Sequence, residues 1–254
     1  MRPRYPDTRP TLRIATWNCR GAIDKKRQMF ESLAADVIVV PECPSDPRIA
    51  QELGVSFAWR GQSPSKGLGV FGLNGWAFSP VEAPAELPWL LPLALADPSG
   101  GQVATLLAIW TVQRTGAPPY DSQVAMAIDA WRQEIENRGV ILAGDFNCSA
   151  QTAATTRHRE NVDALARLGA ESAYHGHTGL AHGEETAMTL RWVGRGSLEH
   201  WYHCDFVFLS AELARGVIDV AVGDPADWIG PGRSDHCPVS VDVVVDGLGT
   251  PGSC

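Results

Sequence analysis

Five places in the chain put a carboxylate, carboxamide or imidazole directly beside an apolar run: Asn18, Glu42, Asp145 with Asn147, Asp205, and Asp235 with His236. The most informative is Val140-Ile141-Leu142-Ala143-Gly144-Asp145-Phe146-Asn147. Successive side chains of a strand point to opposite faces, so Asp145 and Asn147 emerge together and Phe146 turns away. Gly144 permits close backbone approach where the polar pair emerges. Taken alone, the pair reads equally well as a turn, because Asp and Asn are common after strands. Five such ends change the balance. Several carboxylates with Asn and His make an oxygen-rich site suited to Mg2+ or Mn2+ rather than a thiolate zinc site. They are also the parts of phosphoryl chemistry. A hard cation neutralises a phosphate oxygen, a carboxylate orients water, and a hydrogen-bonded His or Asn meets developing charge.

The elements that must present these groups follow from patterning. Residues 12–18 alternate and predict a strand, and residues 36–41 a second, buried one with Glu42 at its end. Asp24 is placed to cap a helix carrying Met29, Phe30 and Leu33 on one side. The Gly-, Trp- and Pro-rich segment up to residue 110 predicts short strands at 57–59, 67–71 and 76–78, then a longer one at 103–110. Residues 120–138 predict the clearest helix, with Val124, Ile128, Trp131 and Ile135 at helical spacing. A short helix is expected at 161–168, stopped by Gly169. Residues 174–187 read as a polar loop. Its His175, His177 and His182 fit a substrate-facing loop better than a transition-metal site, since Gly-rich spacing fixes no geometry. Glu184-Glu185 reads as solvated. Strands at 205–209, 217–222 and 239–245 complete the set. Strands outnumber helices, which favours α/β with two packed sheets over a doubly wound sheet.

The 254 residues suffice for one large domain or two small ones. Hydrophobic content of 44% and charged content of 20% fit a globular protein. No apolar run approaches the roughly 20 residues needed to span a bilayer, and the N-terminus lacks the apolar core of a signal peptide. Six cysteines without zinc-like spacing then imply reduced thiols and a cytoplasmic setting. Cys19, Cys43, Cys148, Cys204 and Cys237 adjoin motif residues and are expected to face the core as small hydrophobes. The net charge is −8 and the pI near 5.3, which argues against a broad basic face for duplex nucleic acid. Lys25-Lys26-Arg27 reads as a solvated helix face, leaving Arg20, Arg191, Arg195 and Arg233 near the motifs. The expected organisation is a flexible leader at 1–11, a single domain at 12–245 and a flexible tail at 246–254.

The segments ATWNCRG, VVPEC, LAGDFN, HCDFVFLS and RSDHCPV resemble, in order and spacing, the motifs of the endonuclease/exonuclease/phosphatase superfamily, the DNase I-like proteins. The resemblance runs from about residue 12 to 245. It implies a four-layer α/β sandwich: two mixed β-sheets packed face to face, helices outside, and the site at one edge. It further implies a divalent-metal-dependent phosphoesterase using Mg2+ (or Mn2+), hydrolysing a phosphodiester by in-line water attack, as nucleases do. The alternatives are a phosphatase or phosphodiesterase acting on a small organic phosphate, and a non-catalytic phosphate-binding scaffold. Under the resemblance Glu42 is the principal metal ligand, with Asn18 beside it and Asp235 close to the ion. Asp145 orients or deprotonates the water, Asn147 holds the phosphate, His236 meets the scissile phosphate, and Asp205 is its buried partner.

Three departures bear on substrate. Trp110 stands where many DNA-acting members have Tyr or His. Arg20 stands where abasic-site endonucleases often have an acidic residue. His203-Cys204 replaces a more usual pair of a basic or polar residue and an aliphatic one. Arg20, Trp110, His175, Trp192 and His203 are the expected substrate-facing residues. Most of the nine Trp are expected in the core, while Trp59, Trp76, Trp201 and Trp228 are candidates to line a cleft and stack on a flat group. The expected partner is nucleic acid or a small phosphate ester, with no membrane, and the expected state is a monomer.

Overall fold

A computed structural model describes residues 10–137, 139–151 and 155–245. The leader before Pro10, Arg138 at the predicted helix end, and the tail from 246 lie outside the described residues. Fourteen strands are described: β1 (Thr11–Thr16), β2 (Val37–Cys43), β3 (Ser56–Ser63), β4 (Lys66–Gly72), β5 (Ala77–Pro80), β6 (Leu90–Ala96), β7 (Gln102–Trp110), β8 (Val140–Asp145), β9 (Ala170–Ser172), β10 (Leu190–Val193), β11 (Glu199–Tyr202), β12 (Asp205–Ser210), β13 (Val217–Val222) and β14 (Val239–Val244). The helices are α1 (Arg27–Ser32), α2 (Arg48–Leu53), α3 (Tyr120–Ala130), α4 (Arg132–Asn137), α5 (Thr155–Arg167), α6 (Ala173–Thr178), α7 (Ala211–Ala214) and α8 (Pro225–Trp228).

Two six-stranded sheets result, ordered β13-β14-β1-β2-β4-β3 and β5-β6-β7-β8-β12-β9, with β10 and β11 as a separate hairpin. Each is mixed: β1–β2 and β7–β8 run parallel and the remaining pairs antiparallel. Strand alternation builds the layers. Leu12, Ile14, Val37 and Val39 of the first sheet meet Ala108, Ile141, Ala143 and Val207 of the second in one inter-sheet core. The opposite face of the second sheet, with Leu142, Phe206 and Phe208, packs on Val124 and Ile128 of α3 and Leu165 of α5. The outer face of the first sheet, with Trp17, Ile38 and Val40, packs on Phe30 and Ile49. The result is the four-layer α/β sandwich, two mixed β-sheets face to face with helices outside. Each fully buried Leu, Ile or Phe contributes about 1.5–3 kcal/mol.

Local structure departs from the patterning in several places. β6 lies where the patterning placed no strand; Pro is unusual inside strands, and Pro92 here pairs opposite Leu107. The helix predicted over 120–138 breaks at Trp131 (φ −115, ψ 18), which ends α3 before α4 resumes. Asp24 sits inside a short 3-10 turn rather than at a cap, and its Oδ1 instead accepts from Ile49 N–H in the first turn of α2. The polar stretch after residue 173 opens as α6, not as loop.

Candidate active site

Strand ends bring the predicted groups to one edge of the sandwich. In the second sheet Asp145 closes β8, with Trp110 of β7 as its parallel neighbour and Asp205 of β12 as its antiparallel one. Gly144 makes this packing possible: its φ is +148, and a Cβ there would lie 1.8 Å from the Ile109 carbonyl oxygen. From the first sheet, Asn18 follows β1, Glu42 lies in β2, and Asp235 and His236 precede β14. β2 shifts register between Pro41 and Cys43, and Glu42 there adopts φ +63. Arg20 (φ +52) and Asn147 (φ +48) are also left-handed. Such backbone is costly for residues with a Cβ and concentrates at functional sites.

Asp145 is fully buried and receives three hydrogen bonds. Asn18 Nδ2 donates at 3.0 Å, Asn147 Nδ2 at 2.9 Å and the Asn147 backbone N–H at 2.9 Å. His236 Nε2 lies 4.0 Å away. The opposite ring nitrogen, Nδ1, is 2.8 Å from Asp205 Oδ2. Asp205 is held in turn by Thr189, whose Oγ1 accepts from the N–H groups of Cys204 and Asp205 at 3.0 and 3.1 Å. Ser234 Oγ donates to the Asn18 carbonyl and accepts from His236 N–H, tying the two loops of the first sheet together.

Electrostatics follow from this burial. Loss of water pushes the Asp145 carboxyl up to about 7, reinforced by the Asp205 charge and opposed by His236 and Asn18. Burial alone would lower His236. The charges of Asp205 and Asp145, and the hydrogen bond to Asp205, reverse that and raise it to about 10. Burial also pushes the Cys204 thiol well above its ordinary range, so it stays protonated and is no thiolate ligand. Ligand atoms of Asp145, Asp205 and His236, with the Cys204 sulfur beside them, lie within 4.8 Å of one another, close enough to hold a divalent metal. An oxygen set is offered at the rim by Asn18, Glu42 and Asp235.

These groups line a cleft of about 730 Å³, with Asn18, Glu42, Asp145, Asn147, Asp235 and His236 at its floor and rim. Trp110 and the half-exposed Trp192 form its walls. A second cavity of about 740 Å³ adjoins it through Asp235 and Trp192 and carries Arg20, Lys25, Lys26, Arg191 and Arg233. Arg20 Nε lies 3.5 Å from Asp235 Oδ2. The Arg195 side chain lies outside the described residues. Patterning missed Lys66, whose Nζ is 2.8 Å from Glu42 Oε2, and Tyr120, which reaches the same cleft from α3. Neither carries a sequence signal, since one opens a strand and the other a helix far from any motif.

Several expectations are corrected. His175 and His203 do not line the cleft. Both are buried behind the second sheet, bonded to Ser172 and Glu185 and to the Ala187 carbonyl respectively. Their side chains fill space beside Phe206 and outside the cleft. Glu185 is buried, not solvated, and Lys26 is buried with its ammonium on the Cys19 and Gly21 carbonyls. Trp76 belongs to the inter-sheet core, Trp59 donates to the Cys43 carbonyl and Trp228 packs edge-on against Trp17. Trp201 is exposed on the β10–β11 hairpin. Asn147 spends both amide hydrogens on Asp145 and the Thr111 carbonyl, so a phosphate contact through its amide requires one of them to be released.

No family model matches the chain, and no curated protein matches it by sequence. Solved structures do match by shape. The 3′ phosphatase NExo from Neisseria, bound to product DNA hairpin, is 18% identical with a TM-score of 0.67, over 91% of this chain and 99% of that one. An AP endonuclease from Archaeoglobus fulgidus is 14% identical with a TM-score of 0.65, over 91% and 98%. A truncated TDP2 from Caenorhabditis elegans is 14% identical with a TM-score of 0.66, over 92% and 98%. The chain has the DNase I-like endonuclease/exonuclease/phosphatase fold. In this fold the motif residues meet at the end of the sandwich where β1, β7 and β8 finish and β12 starts. Among the described residues, no helix is long and apolar enough to cross a membrane.

Proposed function

We propose that the chain is a divalent-metal-dependent phosphoester hydrolase acting on phosphodiesters, in the manner of a nuclease. The observation that carries this reading is the hydrogen-bonded series Asn18–Asp145 and His236–Asp205 at the floor of a cleft rimmed by Glu42 and Asp235. The donor set fits a hard cation: carboxylate and carboxamide oxygens, no thiolate, and a Glu42 carboxylate that lines the cleft with Lys66 as the partner a cation would displace. Glu42, Asn18 and Asp235 are the residues to hold Mg2+ or Mn2+, which would neutralise phosphate oxygen charge. Asp145 then orients the attacking water and takes its proton, a task suited to a carboxylate raised toward neutrality. His236, kept cationic by Asp205, faces the negative charge that develops on phosphate. Tyr120 on the cleft wall offers a phenol that compensates for Trp110.

A small organic phosphate is the second reading, favoured by the acidity of the chain and by Trp110 at the expected phosphate-binding place. Similarity in shape to a 3′ phosphatase, an AP endonuclease and TDP2 supports phosphate-ester chemistry in general. The test is hydrolysis of bis-p-nitrophenyl phosphate and p-nitrophenyl phosphate with Mg2+, Mn2+ or EDTA. Metal-dependent diester cleavage that EDTA stops is expected, with E42Q weakening Mg2+ binding by calorimetry while the melt is unchanged. No hydrolysis in any metal would leave a phosphate-binding scaffold.

A further inference from the structure

Behind the second sheet, next to Phe206 of β12, four imidazoles and a carboxylate pack together: His158, His175, His182, His203 and Glu185. None of them lines the catalytic cleft. The His175 and His182 rings stack with centroids 3.5 Å apart. Ser172 Oγ holds His175 Nδ1 at 2.8 Å, which aims Nε2 at Glu185 Oε1, 3.2 Å away. Two donors on one tetrahedral zinc ion are about 3.3 Å apart, given metal–donor distances of about 2.0–2.1 Å. Ligand atoms of His175, His182 and Glu185 all lie within 4.8 Å of one another.

Unpartnered polar atoms accompany the cluster. His182 Nδ1 and His203 Nε2 are buried without a hydrogen-bond partner among the described residues, a costly state for nitrogen. His203 Nδ1 faces the Ala187 carbonyl at 2.7 Å, so its proton sits there and Nε2 presents a lone pair. Imidazole nitrogens together with a carboxylate oxygen are the donor types that a divalent transition ion takes.

We propose that His175, His182 and Glu185 form a second metal site, specific for a zinc-class divalent ion and distinct from the oxygen-lined cleft. His203, its ring centroid 5.9 Å from that of His175, is the nearest further imidazole. His175 belongs to α6 and Glu185 to the segment returning toward β10. An ion there would pin both onto β12, the strand that carries Asp205. Partial exposure of His182 gives the ion a path from solvent.

The experiment titrates the chelator-stripped chain with Zn2+ and, separately, Co2+, with the cleft-disabled variant E42Q/D145N in parallel. One equivalent of Zn2+ should bind and raise the melting temperature, and Co2+ should give the visible absorption of a four-coordinate site. Both signals should persist in E42Q/D145N and disappear in H182Q and E185Q. Absence of zinc binding in E42Q/D145N overturns the site, as does equal binding by H182Q, E185Q and the unmodified chain. Should H182Q or E185Q fail to fold, E42Q/D145N with H236Q added decides: one equivalent of zinc kept there supports the site, and loss of zinc overturns it. Because that variant lacks the hydrolytic centre, failure here leaves the phosphoesterase reading standing, and the reverse also holds.

Discussion

At the residue scale the chemistry turns on two acids and one imidazole. Replacing the Asp145 carboxylate by an amide in D145N keeps its shape and removes its basicity. Turnover should fall by roughly 10² to 10⁴-fold with substrate affinity kept. Single-turnover rates beside equilibrium binding check this, and activity within a few-fold of the unmodified chain would deny Asp145 the role of base. His236 gives a second prediction, on stability. Its folded pKa is raised from 6.5 to about 10, so the charged ring is stabilised in the folded state. That contribution is fully present below about 6.5, the unfolded value, and is lost as pH rises through about 10. Metal-free melts between pH 6 and 10 should therefore fall with rising pH, and the slope should flatten in H236Q. Asp205, Asp145 and Asp235 are the charges that hold the ring protonated, so an unchanged slope would mean that His236 is not paired as described.

At the element scale, strand ends are what place the chemistry. The strand at 140–145 and the shared face of Asp145 and Asn147 were legible because an apolar run marks a buried strand and the two-residue period sets which face each side chain takes. So were Asn18, Asp205 and His236, each at an abrupt change from apolar to polar. Other features have no such local signature. Pro92 masks β6, and the φ +63 kink at Glu42 arises from a register shift against β4 that only pairing reveals. His175 and His203 show the same gap in reverse. The polar, Gly-rich surroundings of His175 read as surface, whereas α6 carries it inward against Phe206, and His203, in the link between β11 and β12, packs on the same ring. Gly144 is where element and site meet. The φ of +148 and the 1.8 Å approach that a Cβ would make to the Ile109 carbonyl leave no room for alanine between two parallel strands. G144A should lose about 3 kcal/mol or more, or fail to fold, as expected for combined strain and overpacking. Chemical denaturation measures it; a loss below about 1 kcal/mol would mean β7 and β8 can separate without cost.

At the scale of the whole molecule, the question is how much phosphate this protein can grip. Duplex-binding proteins contact many phosphates, release as many counterions, and lose affinity steeply with salt. Here the net charge is −8, and the cations near the cleft are largely committed within the protein. Lys66 pairs with Glu42, Arg20 with Asp235 and Arg191 with Glu199, while Lys26 is spent on backbone carbonyls. Each must be drawn from its partner before it can serve a substrate. The basic cavity with Arg20, Lys25, Arg191 and Arg233 adjoins the cleft on one side only, so it extends the site by a short step rather than a continuous track. Productive binding should therefore use about one to three phosphates, which gives a log–log salt slope shallower than about −3 at roughly −0.9 per phosphate. Short single strands, nucleic-acid ends or small phosphate esters should outcompete a long duplex. Measuring KM for a defined duplex and for matched short single strands, from low to moderate salt, separates the cases. A slope steeper than about −5 together with a clear duplex preference would require an extended phosphate-binding surface, and the local ion pairs would then have to open together on binding.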